Sequence, residues 1–135
     1  MTDGGFLDTS VVIRYLVNDD QVLAERAQRI IVSPAELTLT DGTLGEIAHV
    51  LTRVYGIPRA AVVDELILLI RRPNVRLHAL DLMTTIQALE LCRPSGRVSF
   101  ADALLWASAR SAGATAVYTF DERFPADSLT LRREA

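Results

Sequence analysis

Short β-prone runs alternate with longer amphipathic stretches along this chain, and that alternation restricts its fold more than any other feature. Phe6-Leu7 is a brief apolar run that stops at Asp8. Residues 37–40, 75–80, 116–120 and 129–131 alternate or are rich in β-branched and aromatic residues, and read as strands. Between them, residues 9–17, 21–32, 43–55 and 58–70 carry apolar residues at helical spacing. So do the stretch opened by Asp81 and the one opened by Ser99. Gly56 and Gly113 sit where helices end, and Pro58 sits where a helix begins. Strands separated by helices predict a parallel α/β sheet, because parallel neighbours need a long crossover.

The chain has 135 residues, 50% of them hydrophobic and 23% charged, which suits one core and predicts a single domain over 1–135. The longest apolar run, residues 66–70, is far below the roughly 18 residues of a membrane span. Residues 1–5 carry no basic segment of the kind that opens a secretory signal. The lone cysteine, Cys92, excludes an internal disulfide and fits a reducing compartment, so a cytoplasmic location without membrane attachment is expected.

There are 14 basic and 17 acidic residues, a formal charge of −3. Every basic residue is arginine. Chemistry that needs lysine, such as a Schiff base or a P-loop, is therefore excluded. The acidic balance also opposes nucleic-acid binding through net charge alone.

Ligands of open α/β sheets bind beyond the carboxyl ends of the strands. Asp8 and Asp121 each follow a strand. Glu46 and Asp102 fall in what the pattern makes the first turns of helices. Each acid also has a structural reading: Asp8 and Asp121 as caps, Glu46 and Asp102 as the acidic partners of capping boxes begun by Thr43 and Ser99. Capping does not require all four to share one edge, whereas a metal site does. Four clustered carboxylates repel unless protonated or bound to cations, and hard divalent Mg²⁺ or Mn²⁺ suits oxygen ligands. A common site predicts carboxylates within roughly 8 Å of one centre. His49, His78 and Cys92 are too scattered for zinc. His49 reads as a surface group and His78 as structural. Trp106, four residues after Asp102, could line the site or simply pack.

Four segments, in order, resemble the motifs of PIN-domain nucleases: Phe6-Leu7-Asp8-Thr9-Ser10-Val11-Val12-Ile13, Leu44-Gly45-Glu46-Ile47-Ala48-His49-Val50-Leu51, Ser99-Phe100-Ala101-Asp102-Ala103-Leu104-Leu105, and Val117-Tyr118-Thr119-Phe120-Asp121-Glu122-Arg123-Phe124. The small size most resembles the VapC-type toxins of toxin–antitoxin pairs. The resemblance implies a five-stranded parallel sheet of order 3-2-1-4-5 with helices on both faces. It implies Mg²⁺-dependent endoribonuclease activity on RNA, frequent homodimers and inhibition by a cognate antitoxin. Asp8 and Asp102 would be the main metal ligands, and Glu46 and Asp121 would complete the acidic pocket. Thr9, Ser10 and Thr119 would surround it, with Ser10 standing where many relatives have asparagine. Arg14, Arg53 and Arg110 are candidates for an outer grip on RNA. An apolar groove of Val12, Ile13, Tyr15, Leu16, Val50, Val54 and Tyr55 would take an antitoxin helix. A PIN-fold nuclease outside a toxin–antitoxin pair and an inactive binding module are the alternatives. An aspartyl-phosphate phosphatase is disfavoured: Ser10 stands where its second aspartate would be, and lysine is absent.

Overall fold

A computed structural model describes residues 4–135. Met1, Thr2 and Asp3, on which the expectation about the amino-terminal segment partly rests, lie outside the described residues. The elements run β1 (Gly5–Phe6), α1 (Thr9–Val17), α2 (Gln21–Ile31), β2 (Leu37–Leu39) and α3 (Asp41–His49). A π-helical turn (Val50–Val54) follows, then α4 (Arg59–Ile70), β3 (Val75–Leu77) and α5 (Leu82–Leu91). The chain ends with α6 (Phe100–Ser111), β4 (Ala116–Tyr118) and β5 (Thr130–Arg132).

Local chemistry explains where helices start. Asp20 accepts from the Leu23 amide at 3.1 Å, Thr40 from Thr43 at 3.1 Å, Asp81 from Thr84 at 3.0 Å and Ser99 from Asp102 at 3.0 Å. Each satisfies an otherwise orphaned N–H in a first turn. The cap at Thr40 starts α3 two residues before Thr43, so Glu46 lies beyond the first turn and the Thr43 capping box does not form. The helix expected over 43–55 also changes character. The Thr52 hydroxyl donates to the carbonyls of Ala48 (2.8 Å) and His49 (3.2 Å), and the Tyr55 amide reaches Val50 five residues back. That competition for carbonyls widens the last turns into a π-helix.

All strand pairs are parallel, as the alternation predicts, but the expected continuous five-stranded order is not made. β1–β2–β3 form one sheet and β4–β5 another. The reason lies in the length of β1. The amides of Gly5 and Leu7 already bond to the carbonyls of Glu36, just before β2, and Thr38, within it. Between them only Phe6 turns its backbone groups the other way, too little for a ladder with β4.

Nor do helices cover both faces of the strands. Leu37, Leu39, Val75 and Val117 point into the core, whereas Phe6 and Tyr118 are each 66% exposed and Arg76 and Arg132 face solvent. The core lies on the inner face, where Val12, Ile31, Leu44, Ile47, Leu51, Leu66, Leu89 and Trp106 are fully or almost fully buried. α5 and α6 pack together, as do α1 and α2, and α3 lies between α1 and α6. The loops that carry the acids are therefore held by a continuous apolar cluster. Among the described residues no helix is long and apolar enough to cross a membrane.

Candidate active site

Asp8 ends the β1 segment and caps α1. Its carboxylate accepts from the Ser10 amide (3.0 Å) and the Ser10 hydroxyl. Those two bonds hold its pKa below the ordinary aspartate value, the hydroxyl contributing most. Asp8 is thus an exposed, firmly ionised acceptor. Next to it, the Thr9 hydroxyl donates to Glu46 at 3.1 Å, which ties α1 to α3. Asp8, Thr9, Ser10 and Glu46 line one cavity of about 280 Å³, together with Arg14 and Tyr55.

Asp102 behaves differently. It sits in the first turn of α6, and Asp121, beyond the end of β4, faces it. Burial raises the Asp102 pKa above its ordinary value, and the Asp121 carboxylate beside it adds to the rise, while the Ser99 hydroxyl opposes it. Asp121 is itself held by local bonds. Its amide donates to the Thr119 hydroxyl at 3.0 Å, and its carboxylate accepts from the Arg123 amide at 2.8 Å. Asp121 thus combines local turn bonds with the contact to Asp102.

The four acids gather as two pairs, Asp8 with Glu46 and Asp102 with Asp121. Among the described residues no group of three or more His, Cys, Asp or Glu side chains forms a ready-made metal site. Each carboxylate also has a hydroxyl or amide donor of its own: Ser10 for Asp8, Thr9 for Glu46, Ser99 for Asp102 and the Arg123 amide for Asp121. The donor set still fits a hard cation. All four groups are carboxylates, and the Asp102–Asp121 contact is a like-charge contact that a divalent ion would relieve.

The profile of the PIN domain matches residues 5–126. The chain belongs to the PIN-domain family. PIN domains are nucleases that generally use divalent metal ions. The crystal structure of VapC20 from Mycobacterium tuberculosis, a toxin that cleaves the sarcin–ricin loop, is similar to this PIN domain. The two share 27% sequence identity over 93% of this chain and 95% of that one, with a TM-score of 0.44. No curated protein matches the sequence closely enough to add to this comparison.

Several neighbours of the acids in this PIN domain were not evident from its sequence. Arg14 pairs with Asp19 at 2.9 Å, and the Tyr55 hydroxyl donates to Asp19 at 3.0 Å, so one side of the Asp8 cavity is a hydrogen-bonded network. Tyr55 and Asp19 are 36 positions apart, and no local pattern joins them. Trp106 does not line the site. It is fully buried, and its indole N–H donates to the Asp127 carbonyl at 2.8 Å. Arg110 lies over the Trp106 ring, about two turns along α6 from Asp102, which carries it away from the acids. His49 and His78 are both exposed, His78 against the Phe6 ring. Of the expected groove, Val12 and Ile13 belong to the core, Tyr15, Leu16, Val50 and Tyr55 are half-buried, and Val54 stands exposed.

Proposed function

We propose that this PIN domain is a metal-dependent endoribonuclease and the toxin of a toxin–antitoxin pair. The observation that carries the nuclease reading is the Asp102–Asp121 contact, two carboxylates held together at the end of β4 where a cation would relieve them. The motif order of Asp8, Glu46, Asp102 and Asp121 supports the VapC-type assignment. Mg²⁺, with Mn²⁺ as substitute, would be held by Asp8 and Asp102. When bound, it supplies Lewis-acid chemistry at the scissile phosphate and lowers the pKa of water.

The chain's own residues do the rest. Ser10 keeps Asp8 ionised and ready to bind a cation. Thr9 fixes the rotamer of Glu46, leaving that carboxylate to orient the attacking water and accept its proton. Thr119 and the Arg123 amide fix the turn that aims Asp121 at Asp102. As the water oxygen bonds to phosphorus, the bond to the leaving ribose oxygen breaks, and that oxygen takes up a proton from solvent.

RNA is the substrate, a cognate antitoxin the inhibitor, and a homodimer the assembly in this reading. The half-buried Val50 and Tyr55 beside the Asp8 cavity supply apolar contact for an antitoxin helix. A basic side chain on that partner would pair with the carboxylates and displace the metal. The test is cleavage of total RNA with and without Mg²⁺ by wild type and Asp8→Asn. Metal-dependent cleavage that Asp8→Asn abolishes, with circular dichroism unchanged, supports the assignment. Wild-type rates for Asp8→Asn refute it. The local bonds that Asp8 and Asp121 accept from the Ser10 and Arg123 amides suit a second reading, an inactive PIN-fold binding module in which these acids only shape turns. Calorimetric titration with Mn²⁺ that shows no binding to wild type would select it.

A further inference from the structure

We propose that the cleft between α3, the π-helical turn and the start of α6 binds a backbone phosphate of single-stranded RNA next to the scissile one, with Arg53 as its cation and His49 beside it as a further hydrogen-bond donor. The proposal rests on the nuclease reading for its substrate but on different residues for its evidence.

The cleft has a volume of about 260 Å³, and no carboxylate lines it. That is notable in a chain of net charge −3. Arg14, Arg76, Arg93 and Arg133 are all committed to ion pairs with acids of this chain. Among the described residues, the side chains of Arg53 and His49 have no hydrogen-bond or ion-pair partner, and both are exposed. The opposite wall is rigid. Arg59 donates to the carbonyls of Cys92 (2.8 Å) and Val98 and lies 4.5 Å over the Phe100 ring, pinning the loop that leads into α6. Arg53 belongs to the π-helical turn, a distortion frequent at functional sites.

The position of the cleft ties it to the acids. Gly45 and Ala101 line it, and each is followed directly by an acid of the candidate site, Glu46 and Asp102. A strand of RNA whose scissile phosphate lay at the acids would bring a neighbouring phosphate to this cleft. A guanidinium suits that contact because its donors match phosphate oxygens in pairs.

The experiment measures binding of a labelled single-stranded RNA oligonucleotide by fluorescence anisotropy in EDTA, over a salt series. Cleavage kinetics follow in Mg²⁺. Arg53→Gln and the double variant His49→Gln/Arg53→Gln are compared with wild type. Arg29→Gln, at an exposed position of α2, is the charge-matched control. Arg53→Gln should raise Kd and KM several-fold together and reduce the slope of log K against log salt by about 0.7. Arg53→Lys should restore most of the slope and only part of the affinity. Arg53→Gln behaving like Arg29→Gln, in a wild type that cleaves RNA, overturns this proposal and leaves the nuclease reading standing. Arg53-dependent binding without any cleavage by wild type overturns the nuclease reading and keeps the cleft. A wild type that does not bind RNA overturns the cleft as well.

Discussion

Single side chains in this protein often serve a fold and a site at once, and their substitution separates the two. Asp102 costs the apoprotein stability because it is partly buried beside Asp121. Asp102→Asn should therefore abolish RNA cleavage yet melt at the same temperature as the wild-type apoprotein or a few degrees higher, as scanning calorimetry would show. Asp81 has the opposite sign. The Thr84 amide and then its hydroxyl hold the Asp81 pKa below 3.8 in the folded state. The unfolded chain thus binds the proton more readily, so the stability that Asp81 provides is present above about pH 3.8 and fades as pH falls through the folded value. Asp81→Ala should lower Tm at neutral pH, and the gap to wild type should narrow in acid. Cys92 is buried, which pushes its thiol up to about 11 despite the nearby Arg59. It should resist alkylation at pH 8 in the native protein and react once denaturant unfolds it.

At the scale of elements, the passage from α3 to α4 controls what the site can reach. Gly56 ends the π-helical turn at φ 65°, a left-handed conformation that side chains disfavour. Gly56→Ala should cost about 1 kcal/mol of stability in urea denaturation, the strain of a β-carbon there. It should also disturb RNA binding if the π-helical turn presents Arg53 as proposed. α6 is anchored at its start by Ser99 and at mid-length by Trp106 bonded to Asp127. Ser99→Ala should lose about 1 kcal/mol, the usual worth of such a cap. Because the same cap fixes the turn bearing Asp102, cleavage should fall by more than the stability loss implies.

At the scale of the whole molecule, the open faces bear on partners. Val54 is 71% exposed, belongs to the expected antitoxin groove and does not line the Asp8 cavity. Val54→Glu should weaken a complex with the product of a neighbouring antitoxin gene, measured by co-purification, while metal-dependent cleavage persists. Retention of the partner at wild-type level would place the interface on another surface, such as the exposed strand face around Phe6 and Tyr118.

The amino-acid sequence by itself determined the order of helices and strands, most helix starts and the family. Helical spacing, caps such as Ser99 and Asp81, and breakers such as Gly56 act within a few residues of themselves. Asp8, Asp102 and Asp121 could be singled out as candidates for the same reason, because each sits next to a strand end or a helix start, whereas Glu46 was singled out by a capping box that the fold does not make. Tertiary structure alone decided how those acids meet, and it joined them in pairs through Thr9 and across the α6–β4 junction. It also decided that a two-residue β1 could not bridge the sheets, that Trp106 would be core, and that Arg14, Asp19 and Tyr55 would form one network. Those outcomes depend on residues far apart in the chain, whose distances are set by the packing of whole helices rather than by any spacing along the sequence.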